Sequence, residues 1–254
     1  MTVKNIYLLP VGKCDIDETA LDTRLTPGKK TTLPIWAYLI ETTEGPILVD
    51  TGMPPSCASD PLGLFKAVGV EDESIVPRMH EEDRIDRVLQ KAGYQPEDLA
   101  CIINTHLHFD HAGGNTLFPK TDILLQKTEY DAAMNSADYF DICKEPNLNY
   151  KLIDGDFEVV PGLSLLSTPG HSPGHQSLLV RTEKSGTLLL TVDASYCRAN
   201  YEDLVPFAAY DQSLATQSIS RLKTIAKEEN AYVFFGHDQH QPFIEAGYHP
   251  LFVK

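Results

Sequence analysis

The sequence predicts an α/β fold in which two βα halves pack sheet against sheet with helices outside. Two observations lead there. Short β-rich runs and amphipathic helical stretches alternate in the order strands, helices, strands, helices, and no repeat, low-complexity tract or pooled Pro/Gly linker interrupts them. A length of 254 residues suits one large core, so 1–254 is expected to form a single domain.

In the first half, 6–9, 35–41 and 46–50 read as strands, with Glu44-Gly45 as a hairpin turn between the last two. From 54 to 78 the pattern breaks into Pro, Ser and Asp mixed with Leu62, Leu64, Phe65 and Val68, a long excursion of the kind that carries function. The stretch 80–94 places Ile85, Val88, Leu89 and Ala92 on one face and ends at Gly93, so it predicts an amphipathic helix. A buried strand is expected at 99–103 and a second helix at 129–136. In the second half, 158–161, 163–167, 177–182 and 187–192 read as strands. Ala215, Ile219, Leu222 and Ala226 then line a helical stripe, and 232–235 is a last strand.

Composition narrows the function. With 42% hydrophobic residues and 22% charged, the chain has an ordinary globular balance. Its 21 Lys and Arg against 36 Asp and Glu give a net charge of −15, which repels phosphate backbones and argues against nucleic acid as a partner. Cysteines 14, 57, 101, 143 and 197 form an odd set without CxxC spacing, which fits a reducing compartment. The start, MTVKNIYLLP, lacks the apolar stretch and cleavage site of a signal peptide, and no apolar run approaches the ~20 residues of a membrane span. A cytoplasmic protein without a membrane partner is expected.

The most informative stretch is THLHFDHAGG at 105–114, where three His and one Asp fall within six positions. In an extended segment, residues two apart point to the same side, so His106 and His108 can converge on one ion; if the chain then turns into a helix, Asp110 and His111 can reach a second. Gly113-Gly114 allows close backbone approach. A His-rich surface loop is the plainer alternative. His171 in the loop STPGHSPGH, Asp193 after LLLTV and His237 after VFFG each follow an apolar run, and a sheet whose strands end in His or Asp presents ligands along one edge. Asp50, closing ILVD, could orient a ligand His or simply end its strand.

HxHxDH followed by single His, Asp and His residues resembles the metallo-β-lactamase superfamily, and within it the N-acyl homoserine lactonases. The telling segments are LTPGK (25–29), ILVDTGMP (47–54), NTHLHFDHAGGN (104–115), TPGHSPGHQS (168–177), DASY (193–196) and FFGHD (234–238), spread over nearly the whole chain. The resemblance implies an αββα sandwich, two mixed sheets face to face with helices outside and metals at one edge. Carried over, one metal would be held by His106, His108 and His171 and the other by Asp110, His111 and His237, with Asp193 bridging. Imidazole and carboxylate suit Zn²⁺ first, and also Fe²⁺, Co²⁺ or Mn²⁺. Two divalent ions, two aspartates and one hydroxide sum to about +1 in an otherwise acidic protein.

The activity implied is opening of the lactone ring of N-acyl homoserine lactones, small signalling molecules, by a metal-bridging hydroxide. In that scheme Tyr196 donates to the carbonyl oxygen and the tetrahedral oxyanion, and Asp110 relays the proton to the leaving alkoxide. Without the resemblance, Tyr196 would read as a packing tyrosine. An acyl chain needs an apolar wall, for which Phe109 and, less directly, Phe65 are the candidates; core packing is their other fate. His175 reads as structural, and His80, His240 and His249 as surface or satisfied polar residues. Two alternatives remain: a glutathione thioesterase-like hydrolase of the same superfamily, which would need a basic cluster for its carrier, and a non-catalytic metal-dependent binding protein. The 54–78 excursion could pack against a second copy to give a homodimer.

Overall fold

The computed structural model describes residues 2–70, 73–183 and 186–240. His249 and the tail after 240 therefore lie outside the described residues. The strands are β1 (Val3–Asp17), β2 (Lys30–Thr42), β3 (Gly45–Val49), β4 (Ile75–Arg78), β5 (Cys101–Ile103), β6 (Asp122–Gln126), β7 (Asn149–Ile153), β8 (Phe157–Val160), β9 (Leu163–Ser167), β10 (Gln176–Thr182), β11 (Gly186–Val192) and β12 (Tyr232–Phe235). The helices are α1 (Gly63–Ala67), α2 (Ile85–Lys91), α3 (Phe109–Ala112), α4 (Lys127–Met134), α5 (Arg198–Asp203) and α6 (Gln212–Glu228). One sheet runs β4-β1-β2-β3-β5-β6-β7 and the other β12-β11-β10-β9-β8. Both are mixed: β1 to β3 are antiparallel and β3, β5, β6 and β7 parallel, while β11 pairs antiparallel with β10 and parallel with β12.

Strand alternation builds the layers. Ile47 and Val49 of β3 point with Ile6, Leu8, Ile40 and Ile103 into a core shared with Leu165, Leu178, Val180, Leu188, Leu190 and Phe234 of the other sheet. The intervening Leu48, with Leu9, Leu39 and Ile102, faces the opposite way, onto Ile85, Val88 and Leu89 of α2. Outside the second sheet, Ala215, Ile219 and Leu222 of α6 cover Leu179, Leu189 and Phe235. The order helix, sheet, sheet, helix is the sandwich the sequence implies.

Several elements depart from their expected bounds. β1 continues past Pro10 to Asp17, because a register shift between Pro10 and Lys13, with Gly12 at φ 118°, absorbs the missing amide donor. The helix expected over 80–94 is α only from Ile85 to Lys91, since Arg84 is extended (φ −60°, ψ 136°) and separates it from a single 3-10 turn, Glu81–Asp83. The 54–78 excursion contains α1 and ends in β4, which pairs antiparallel with β1 at the sheet edge. Strands β6 and β7 and helix α5 have no counterpart in the sequence reading.

Candidate metal centre

Four ligand-type side chains come from one turn of chain. β5 ends at Ile103, a bent stretch leads to His108, itself extended (φ −69°, ψ 158°), and one helical turn, α3, begins at Phe109, so Asp110 and His111 are presented from a helix. The loop between β9 and β10 supplies His171, the end of β11 supplies Asp193, and the end of β12 supplies His237. Gln176 ties the two sheets together at this edge, its amide donating to the Thr105 carbonyl (3.0 Å) and its side chain to the Asn104 carbonyl (2.8 Å). Gly114 permits the close approach: a Cβ there would run into the Thr51 carbonyl.

The seven side chains meet in two groups. His106 Nε2, His108 Nδ1 and His171 Nε2 lie 2.9–3.1 Å from one another. On the other side, His111 Nε2 is 3.6 Å and His237 Nε2 3.7 Å from Asp110 Oδ2. Asp193 stands between them: its Oδ2 is 3.4 Å from His171 Nε2, and its Oδ1 is 3.4 Å from His111 Nε2 and 3.2 Å from His237 Nε2. The groups His106/His108/His171, His106/His111/Asp193 and Asp110/His111/His237 each have ligand atoms within 4.8 Å of one another.

Hydrogen bonds behind the rings fix which nitrogen faces inward. Thr105 Oγ1 donates to Asp50 Oδ2 (2.8 Å), leaving it to accept from His106 Nδ1 (3.1 Å). His171 Nδ1 donates to the Ala208 carbonyl (3.3 Å), His237 Nδ1 to the Pro34 carbonyl (2.9 Å) and His111 Nδ1 to Asp50 Oδ2 (2.8 Å). Asp50 therefore orients a ligand-type His while closing β3. With Nδ1 so engaged, Nε2 is the nitrogen that each of these rings presents to the centre. Burial, with the neighbouring imidazoles, holds His106 well below the ordinary histidine pKa, and burial does the same for His171. Two neutral lone pairs thus face each other 3.1 Å apart. Burial also penalises charge on His111 and His237, but the carboxylates of Asp193 and Asp110 outweigh it and push both upward. The nearby histidines in turn overcome burial to hold Asp193 well below the usual carboxylate range.

A divalent cation fits this donor set. His111 Nε2 and Asp193 Oδ1 are buried without a hydrogen-bond partner, and facing lone pairs and crowded carboxylates repel unless a cation sits between them. The three-nitrogen group and the mixed carboxylate–imidazole group are both ligand types for zinc and its neighbours.

A cavity of about 840 Å³ opens onto the centre, touching His108, Asp110, His171, Asp193 and His237, while His106 and His111 lie behind. Both predicted wall residues line it: Phe65 packs edge-on to Phe109 with ring centroids 5.3 Å apart. Phe140 completes an aromatic trio, 5.3 Å from Phe65 and 6.1 Å from Phe109. Among the described residues no Lys or Arg lines this cavity, which gives no support to a carboxylate-bearing carrier such as glutathione. Tyr196 also lines it, its hydroxyl 3.4 Å from His171 Nδ1. Burial and the Asp193 and Asp110 carboxylates push its pKa well above the ordinary value, so it stays a proton donor.

His175 is structural, as expected: its Nε2 accepts the Asp193 amide (3.1 Å) and its Nδ1 faces Thr168, with burial lowering its pKa to about 4. His80 and His240 are exposed. Sequence reasoning missed Phe140 and Glu129, a fully buried carboxylate beneath the His108 and His171 loops. Among the described residues no helix is long and apolar enough to cross a membrane.

Comparison with known proteins agrees with this geometry. The model of the Metallo-beta-lactamase superfamily matches residues 31–237. The chain is 56% identical over 241 residues to the N-acyl homoserine lactonase AiiA of Bacillus thuringiensis subsp. kurstaki, covering 95% of this chain and 96% of that protein. It superposes with a TM-score of 0.91 and 55% identity on a solved N-acyl homoserine lactone hydrolase with the product N-hexanoyl-L-homoserine bound at the catalytic metal centre, covering 95% and 96% of the two chains. The same TM-score and identity relate it to a crystal structure of a B. thuringiensis AiiA variant with N-decanoyl-L-homoserine bound at the active site, again over 95% and 96%.

Proposed function

The chain belongs to the metallo-beta-lactamase superfamily, and from that premise we propose that it is a hydrolase that opens the lactone ring of N-acyl homoserine lactones, degrading quorum-sensing signals. The observation that carries this reading is the seven-residue centre opening, beside a protonated tyrosine, into an apolar cavity of about 840 Å³. One ion would be held by His106, His108 and His171, the other by Asp110, His111 and His237, and Asp193, standing between the two groups, would serve both. Zinc is the first choice for both, and Fe²⁺, Co²⁺ or Mn²⁺ suit the same donors. When bound, such ions supply Lewis acidity and bring the pKa of water toward ~7.

The protein groups then have distinct tasks. Tyr196 donates a hydrogen bond from its phenol to the lactone carbonyl oxygen and to the developing oxyanion. Asp110, exposed to the cavity, would take the proton of the attacking water and pass it to the ring oxygen as the acyl C–O bond breaks, giving the N-acyl homoserine. Phe65, Phe109 and Phe140 form the wall along which the acyl chain lies and from which water is excluded. Because both sheets contribute ligands, the chain works as one domain. The five free thiols support a cytoplasmic location, and the 54–78 segment is the surface proposed for homodimer contact.

Purified protein with its metals quantified tests the reading, using acid release from N-acyl homoserine lactones and S-lactoylglutathione as comparison substrate. Lactone kcat/KM of ~10⁴ M⁻¹s⁻¹ or above is expected. Thioester turnover alone would reassign the protein to a sibling hydrolase, and neither activity in metal-loaded protein would make it a binding protein.

A further inference from the structure

Glu129 lies in the first turn of α4, fully buried, and is not itself one of the ligand-type side chains. Its Oε1 accepts the amide of Leu107 (3.0 Å), the residue between His106 and His108. Its Oε2 accepts the Ser172 hydroxyl (2.7 Å) and the Gly174 amide (2.8 Å), in the loop that carries His171. The Tyr139 ring lies 5.5 Å from that of His108. One carboxylate therefore spans two loops whose histidines are 63 and 65 residues apart in sequence, at the ligand positions themselves. Burying a carboxyl group is costly unless its oxygens are hydrogen-bonded, and here the three donors, Leu107, Ser172 and Gly174, all belong to the loops of the three-histidine group.

We propose that Glu129 is a positioning residue that sets the His106/His108/His171 group for its metal ion. The inference rests on the two-ion reading above. A carboxylate is required because Leu107 N–H and Gly174 N–H are fixed backbone donors approaching from opposite sides, and an amide would present its own NH₂ to one of them. In the second group, His111 and His237 are held by Asp50 and the Pro34 carbonyl, neither of which bonds to Glu129.

The test is zinc titration of chelator-stripped full-length protein against a competing chromophoric chelator. In Glu129→Gln, affinity for one ion should fall about 10–100-fold, the same ion that His108→Ala loses, while the other stays within about twofold. Ser172→Ala, which removes one neutral donor, should weaken the same ion less. Equal weakening of both ions, or unchanged affinities with only a lower Tm, would overturn the proposal. If Glu129→Gln does not fold, Ser172→Ala decides: selective weakening supports the proposal and unchanged or equal loss overturns it. Wild-type protein that binds fewer than two ions would instead refute the two-ion reading.

Discussion

Tyr196 lines the cavity, its hydroxyl 3.4 Å from His171 Nδ1 and kept protonated by burial and two carboxylates. Tyr196→Phe removes one preorganised donor and leaves all seven ligand-type side chains, so kcat should fall on the order of 100-fold with KM and metal content little changed. Steady-state kinetics with metal analysis checks this; wild-type kcat would remove the residue from the mechanism. The ligands themselves were legible because their spacing is local: four sit within six positions, and the other three each close an apolar run. Glu129 was not. It begins a largely polar helix, and its partners are backbone amides and a hydroxyl 22 to 45 residues away, which leave no spacing signal. Asp50 was half legible, since a carboxylate ending a strand looks the same whether or not a histidine leans on it.

β11 shows how an element serves both core and site. Leu188 and Leu190 fill the space between the sheets, and the strand then breaks: its pairing with β12 shifts between Leu190 and Val192, and Val192 adopts φ 47° just before Asp193. A β-branched residue in that region is strained, and the packing around it supports the turn that delivers Asp193. Leu190→Ala should cost about 2–5 kcal/mol, because the cavity lies between two rigid sheets. Urea unfolding measures the loss, and activity per folded molecule should be retained. The strands that could be read were those with continuous apolar runs, such as β3 and β11. β7 mixes exposed and half-buried residues at a sheet edge and does not stand out from loop. β4 carries Pro77, which the edge position tolerates and a sequence reading takes as a breaker.

At the scale of the whole molecule, two features set how stability responds to solution conditions. The net charge of −15 makes the folded chain repel itself, so moderate salt should raise Tm by screening. Burial, helped by Asp60 and Asp122 respectively, raises the Cys57 and Cys101 thiols from 9.0 to about 12. Folded protein thus keeps protons that the unfolded chain releases. Their contribution is complete below pH 9 and lost as pH climbs toward 12. The urea midpoint should decline between pH 9 and 11, and more gently in Cys57→Ala and Cys101→Ala; an identical slope would contradict the assignment.

The central claim is that seven residues from two sheets form one two-ion centre for lactone hydrolysis. Stripping the protein with chelator and adding Zn²⁺ back stepwise, while following acid release from an N-acyl homoserine lactone, tests it most directly. The account predicts no turnover in the stripped protein and a rise to a plateau at about two ions per chain. Undiminished turnover without metal, or two bound ions with no turnover, would contradict it.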